Sequence, residues 1–552
     1  MPHAIEERNL GMTFQHGLSF GSALTVLVLH CFASMAIGEP STVARGSDDE
    51  PFATTRETSI RMGSNLTIVR INHRPTTPNT TAGSLVSYPF PRPRLAGFSP
   101  LIAIATSSKH SPDDIDYEHD LESSYNCNAY GPPFGGVCGS LNPPADRNFV
   151  VGILDSGSVA DLAAGTGAQT LGLVGQNLTI NVQPIGGVGG TVEARVTQPV
   201  GIYAAGLSAV DAGGTLNMNA LVGHSNVAGL AAPPINCGGT ELVRAFVGTP
   251  FLAFYTSVIR VDTRRTVTVA GRTYSSPDVQ IQSPLHSIPE YSHAFSMELG
   301  SGGLPVQTAS YYPDTELDPE DPGYLITPAV PTALSLLPLI PPTGGLFFRD
   351  VLAVRGEPGP TNLPITMHLM VDTGSEASII SEAMAADLNL PLTPDFTIDA
   401  CGVGGIIEDI PGYYIDFVQI NAFGGALKFS RAPFVVLDLP VTQLGTLDGV
   451  LGMNFFWNRN VIFEPSLIQS SFFHVSDPIP VAFADSDVDF HVDATDASFF
   501  ISCITGPESA GVSPECDHLD VNFNGSIDLY DIAKFQICYS GSEQLANPDC
   551  GN

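Results

Sequence analysis

Two segments of this chain carry the same landmarks in the same order, and that duplication limits what it can fold into. The first holds Asp155-Ser156-Gly157-Ser158 and then Gly187-Val188-Gly189-Gly190. The second holds Asp372-Thr373-Gly374-Ser375 and then Gly402-Val403-Gly404-Gly405, letter for letter the same glycine motif. The distance from Asp to the first Gly is 32 residues in one and 30 in the other. Each tetrad follows an apolar, strand-like run, Phe149 to Leu154 and Met367 to Val371. A single Asp-Ser-Gly-Ser sequence is also the stuff of surface turns. The apolar run leading into each Asp instead places the carboxylate at the end of a buried strand.

Two carboxylates brought together carry specific chemistry. At about 3 Å apart they cannot both ionise, so they share a proton. One then serves as base towards a water, the other as acid towards a carbonyl. Glycine after Asp-Ser/Thr lets the backbone turn tightly and brings its amide near the carboxylate. A hydroxyl at the fourth position is placed to hydrogen-bond the carboxylate and favour its charged form.

These residues resemble the aspartic peptidases of the pepsin and retropepsin type. The second segment is the clearer match. Val371-Asp372-Thr373-Gly374-Ser375 leads through Ser378-Ile379-Ile380 to a helix with Ser381 as N-cap. Gly402, Gly404 and Gly405 fall where that family has its flap hairpin. Leu447-Asp448-Gly449-Val450-Leu451-Gly452 resembles the apolar-apolar-Gly segment that packs beneath the catalytic loop. In the first segment Gly187, Gly189 and Gly190 are the flap candidates, Leu221-Val222-Gly223 the candidate apolar-apolar-Gly segment, and Tyr203 the nearest candidate for a flap tyrosine. The resemblance implies a mainly β fold with two β-barrel lobes, Asp155 and Asp372 as catalytic residues, and an extended peptide bound between the lobes. It implies that Ser156, Gly157, Ser158, Thr373, Gly374 and Ser375 support the catalytic loops, and that activity favours acidic pH. Two alternatives stand beside this reading. One is an inactive peptidase fold that binds peptides or sits at the cell surface. The other is a peptidase active only as a dimer through its second lobe.

The organisation fits an exported protein. Residues 1–38 read as a secretory signal, with an apolar stretch from Leu18 to Ile37 and small residues before Glu39. Its purely apolar part falls short of the ~20 residues a membrane span needs. Residues 39–95, rich in Ser, Thr, Pro and Arg, read as a linker or propeptide-like region. The first unit is assigned to 96–300, a connection to 301–344 and the second unit to 345–475. The net charge of −34 argues against nucleic acid as a partner. Beyond Cys31, inside the signal, eight cysteines remain, which predicts disulfides outside the cytoplasm. Cys127 and Cys138 bracket a Gly/Pro-rich loop and are expected to pair. Cys237 and Cys401 are left open. Thirteen histidines show no metal spacing, and Trp457 reads as core.

Residues 485–552 form a different, acidic and repeated region. Asp520, Asn522, Asn524, Gly525, Ser526, Asp528 and Asp531 fit a calcium loop at positions 1, 3, 5, 6, 7, 9 and 12. An earlier copy lies 35 residues upstream with Asp485, Asp487, Asp489, Asp493 and Asp496. There Phe490 takes the glycine position, so this loop is expected to bind more weakly. Cys503 and Cys538 are also 35 residues apart and each is followed by another cysteine, giving expected pairs Cys503–Cys516 and Cys538–Cys550. The repeat resembles dockerin, a small helical module of EF-hand-like calcium loops. The resemblance implies structural calcium and a cohesin-like or cell-surface partner.

Overall fold

Long β-branched runs dictate most of the architecture. Thr256–Val269, with the sequence TSVIRVDTRRTVTV, has the Val, Ile and Thr content of a strand and pairs with Arg272–Gln282 through a turn at Ala270-Gly271. Both turn residues have positive φ, 50° and 77°, which matches the right-handed twist of the two strands. The computed structural model describes residues 60–61, 67–73, 90–107, 136–137, 149–282, 288–300 and 345–550. Short gaps fall at 159, 176–177, 198–199, 218–219, 228, 238–239, 253, 283–287, 357, 360–361, 440, 443–444, 466–470 and 507–510. The expected signal at 1–38, most of 39–95, the connection at 301–344 and the Cys127–Cys138 pair lie outside these residues.

The described chain is mainly β. One sheet of eleven strands is built around Val150–Leu154, and another of thirteen around Ile365–Val371. Each tetrad therefore closes a central strand. The sheets share one large apolar core: Leu154, Val247, Phe251 and Ile259 lie in the same buried cluster as Val371, Leu451, Phe455 and Phe463. The sheets do not follow the order of the chain. Strands Thr256–Val269, Arg272–Gln282 and His293–Gly300 belong to the second sheet, where Ser257 pairs with Phe463 and Ala294 with His474. Their apolar faces are completed by strands from the far end of the chain, which local sequence does not reveal.

The helix Glu382–Asp387 forms as expected, with the Ser381 hydroxyl accepting from the Met384 amide at 3.1 Å. The segment after residue 485 is the helical part. Helices Ala494–Cys503 and Leu529–Cys538 each start with a reciprocal cap, Asp493 with Asp496 and Asp528 with Asp531. Disulfides join Cys503 to Cys516 and Cys538 to Cys550 as expected, and Cys237 to Cys401. No helix among the described residues is long and apolar enough to cross a membrane.

Candidate active site

The two tetrads meet. The Ser156 amide donates to Thr373 Oγ1 at 3.0 Å, and the Thr373 amide donates to Ser156 Oγ at 3.0 Å. Each hydroxyl then donates across to the opposite strand, Ser156 Oγ to the Val371 carbonyl and Thr373 Oγ1 to the Leu154 carbonyl. The result is a closed set of four hydrogen bonds with approximate twofold symmetry. It joins residues more than 200 positions apart and needs a hydroxyl amino acid second in each tetrad.

The same symmetry places the carboxylates. The Gly157 and Ser158 amides donate to Asp155 Oδ1 at 2.9 and 3.1 Å, and the Gly374 amide donates to Asp372 Oδ1 at 2.8 Å. A Cβ added at Gly157 would lie 2.3 Å from the Asp372 carboxyl carbon, so the second carboxylate packs directly on the first loop. Glycine is needed there for close approach. Asp155, Ser156, Ser158, Asp372, Thr373 and Ser375 are all 0% exposed. The Ser158 and Ser375 hydroxyls donate to the Ala160 and Ala377 carbonyls at 2.6 and 2.7 Å. They brace the turns rather than the carboxylates, because the tight loop already presents its own amides to the aspartates.

Beneath each loop runs a short strand parallel to the one bearing the Asp. In the second unit it is Gly449–Leu451, and the Asp372 amide donates to the Leu451 carbonyl at 3.0 Å. In the first unit the equivalent is Ala245–Val247, with the Asp155 amide donating to Val247 at 2.9 Å. This corrects the expectation for Leu221-Val222-Gly223, which pairs instead with Val200–Gly206 and Gly136–Val137 on the far side of the first sheet. Tyr203 is corrected too: it is fully buried, packed against Gly201 and Gly223, and is not part of a hairpin tip.

The symmetry exposes one residue that the motif reading missed. The Gly452 amide donates to Ser378 Oγ at 2.9 Å, and the matching Gly248 amide donates to Asp161 Oδ1 at 2.8 Å. A carboxyl thus replaces a hydroxyl at the root of the first loop. Burial pushes Asp161 up to about 7, against the pull of the Gly248 amide. The signal was present in the sequence: Asp161 lies three residues past Ser158, as Ser378 lies three past Ser375.

The glycine motifs form the tips of two hairpins, Leu178–Gly187 with Gly190–Thr197 and Phe396–Gly402 with Gly405–Ile420. The tips interlock. Val188 is buried among Met370, Ile379 and Phe396 of the second unit, and Val403 among Ile153, Leu162 and Phe246 of the first. The Gly404 amide donates to the Val188 carbonyl at 3.0 Å. Gly189, Gly190 and Gly405 have φ of 91°, 123° and 115°, a region side chains avoid. A backbone strand runs along the outer edge of each hairpin. Ile60–Arg61 pairs with Ile185 and Gly186, and Thr67–His73 pairs with Phe396 to Cys401.

The C-terminal loops gather oxygen atoms. Ligand atoms of Asp485, Asp487, Asp489 and Asp496 lie within 4.8 Å of one another. An all-oxygen, carboxylate-rich set of this kind fits calcium. Asp493 stands outside that group and caps its helix. Burial, then the neighbouring Asp496 charge, pushes Asp485 up to about 7. Burial pushes Asp520 up to about 6. Phe490 adopts φ 69°, and its amide donates to Asp485 Oδ2 at 3.0 Å, as the Gly525 amide donates to Asp520 Oδ2 at 2.8 Å. The loop expected to bind more weakly therefore keeps the shape of its partner, at a backbone strain of roughly 1–2 kcal/mol. In the second loop Asn522 and Asn524 accept backbone amides, and the Ser526 amide donates to Asn524 Oδ1.

This module packs on the body of the protein. Arg94 donates to the Ser486 and Asp485 carbonyls at 2.7 and 2.9 Å and stacks on Trp457, which is half-buried beneath it. Arg92 and Arg431 both pair with Asp517 at 2.8 Å.

Comparison with known proteins agrees with this geometry. No curated protein matches the chain. Residues 362–455 match the family model described as aspartyl protease, a stretch running from the strand before Asp372 through the second hairpin to Phe455, and this supports an aspartic peptidase.

Proposed function

We propose that this chain is a secreted aspartic endopeptidase of the pepsin and retropepsin-like type. Its two lobes each contribute one carboxylate, Asp155 and Asp372, and a water activated between them attacks the peptide carbonyl. The reciprocal hydrogen bonds between Ser156 and Thr373 carry the reading. They bring the first tetrad into the place that a second subunit would otherwise fill, which favours one bilobal chain over a dimer of second lobes. A shared proton lets one carboxyl act as base and the other as acid, and the amides of Gly157, Ser158 and Gly374 hold both in place.

Cleavage of casein from pH 3 to 8 tests the assignment. Wild type is expected to work in acid, with Asp155→Asn and Asp372→Asn both inactive. Survival of activity in Asp155→Asn alone would point to a site built in trans. An inert wild type would return the chain to a peptide-binding role.

The C-terminal module is proposed as a dockerin-like calcium module. Asp485, Asp487, Asp489 and Asp496 would hold one ion. Asp520, Asn522, Asn524, Ser526, Asp528 and Asp531 would supply the oxygens for a second. Bound calcium would neutralise crowded carboxylates and fix the loops. The helix Leu529–Cys538 leaves Leu529, Tyr530 and Ile537 exposed, an apolar face suited to a cohesin-like partner. Calcium-dependent capture of a cohesin domain checks this; capture unchanged by chelator would count against it. Export is checked by sequencing the N-terminus of the mature protein, expected to begin at Glu39.

A further inference from the structure

The segment 91–100 touches both tetrad-bearing loops. The Gly97 amide donates to the Glu376 carbonyl at 2.7 Å, one residue past the second tetrad. The Pro100 carbonyl accepts from the Leu154 amide at 3.0 Å, one residue before Asp155. Leu154 is thereby held through both of its backbone groups, since its carbonyl already accepts from Thr373 Oγ1. The chain then continues as the strand Leu101–Ser107, in which Leu101 pairs with Ile153.

The sequence makes this segment stiff. It reads PRPRLAGFSP, so Pro91, Pro93 and Pro100 fix their own φ and steer the residue before each to extended backbone. The Pro91 carbonyl accepts from the Ser430 amide at 3.0 Å. Leu95 is buried with Met370, Ala377 and Ile379, close to the second tetrad on both sides in sequence. Gly97 is needed for close approach. A Cβ there would stand 2.3 Å from the Met453 carbonyl carbon and 2.4 Å from the Asn454 nitrogen, on backbone rather than on a yielding side chain. The Met453 amide donates in turn to the Ser375 carbonyl at 2.9 Å. Two consecutive carbonyls of the second loop, Ser375 and Glu376, are therefore held by Met453 and Gly97, which press against each other.

Resting on the peptidase reading above, we propose that residues 91–100 are a positioning strap for catalysis, with Gly97 as its fixed point. The Ser156–Thr373 hydrogen bonds join the tetrads directly. The strap adds a second tie through the residues that flank them, Glu376 after one and Leu154 before the other. It sets the Asp372 loop against the strand that delivers Asp155, so the placement of the two carboxylates depends on it. The active chain therefore retains this segment. Trimming of the preceding region, propeptide-like in sequence to residue 95, stops short of Pro91.

The test compares wild type with Gly97→Ala in the full chain, on a casein peptide and at a temperature where both are folded. Misplacing a catalytic group by about 1 Å slows a reaction up to about a hundredfold, so kcat is expected to fall about tenfold to a hundredfold with KM within about twofold. An unchanged kcat, or a fall only in proportion to the unfolded fraction, would overturn the proposal. Should Gly97→Ala fail to fold, Leu95→Ala loosens the strap without a backbone clash and is expected to give a smaller fall of the same kind. A wild-type kcat in Leu95→Ala would overturn the proposal as well, as would an active form whose N-terminus lies beyond Gly97. Hydrogen exchange on wild type gives a readout independent of activity. The Gly97 and Leu154 amides are expected to open together with those of Ser156 and Thr373, with protection within about tenfold. Exchange at Gly97 or Leu154 faster by orders of magnitude would overturn the strap whatever is cut. Shared protection in a wild type that cuts nothing would sustain the strap and count against the peptidase reading alone.

Discussion

Asp161 shows how one side chain sets a pH limit on the fold. It occupies the place of Ser378 but brings an ionisable group into a site with 5% exposure. Burial is the first cause of its upward shift to about 7. In the unfolded chain the same carboxyl titrates near 3.9. Below about pH 4 both states are protonated and the group makes no difference. Between about 4 and 7 the unfolded state ionises while the folded state keeps its proton, so stability falls as pH rises. Above about 7 the penalty is complete, on the order of 4 kcal/mol for a shift of about three units. Asp161→Asn keeps an acceptor for the Gly248 amide and removes the charge. The variant is expected to melt at the wild-type temperature at pH 3.5 and several degrees higher at pH 8. An unchanged difference between the two pH values would show that the carboxyl does not titrate with folding.

At the scale of elements, the hairpin tips are fitted closely against each other. A Cβ at Gly404 would stand 2.1 Å from the Gly189 carbonyl carbon, on rigid backbone rather than on a yielding side chain. Gly404→Ala must therefore part the tips. Expected results are faster amide exchange at residues 185–190 and 402–405 and a fall in kcat/KM, with little change in melting temperature because the sheets are untouched. Normal exchange at the tips would mean that they do not interlock in solution. The tetrads, the glycine tips, the Ser381 helix cap and the C-terminal repeat were all legible in the sequence, because each depends on a residue type at a fixed local offset. The strand beneath the first loop was not. Leu221-Val222-Gly223 and Phe246-Val247-Gly248 have the same apolar-apolar-Gly form, and only pairing with Val150–Leu154 separates them. The outer strands at 60–61 and 67–73 were equally hidden, since backbone pairing along a hairpin edge asks little of side-chain pattern. The Cys237–Cys401 bond follows from how the hairpins cross, which no local offset records.

For the whole molecule, the telling contact lies between the C-terminal module and the body. A docking appendage on a loose tether would melt on its own. Here Arg94 lies half-buried against the first acidic loop, and Arg264 donates to the Asp487 carbonyl at 2.8 Å. Burial lowers Arg94 to about 10, so it stays cationic at neutral pH, with Asp485, Asp496 and Asp487 opposing the shift. Its own carbonyl accepts from Asn454 Nδ2 at 3.1 Å, and Asn454 Oδ1 accepts from Ser378 Oγ at 2.7 Å. Ser378 holds the Gly452 amide under the Asp372 loop. A short run of hydrogen bonds therefore joins the acidic loop to the second tetrad. Calcium at a hundred times its Kd would stabilise the folded chain by about 2.7 kcal/mol. With the module coupled through Arg94, chelation is expected to lower one shared calorimetric transition and to slow casein cleavage. Arg94→Met should split that transition, leaving only the smaller, C-terminal one sensitive to calcium. Two transitions in wild type, with cleavage indifferent to chelator, would mean that the module rides on the peptidase without steadying it.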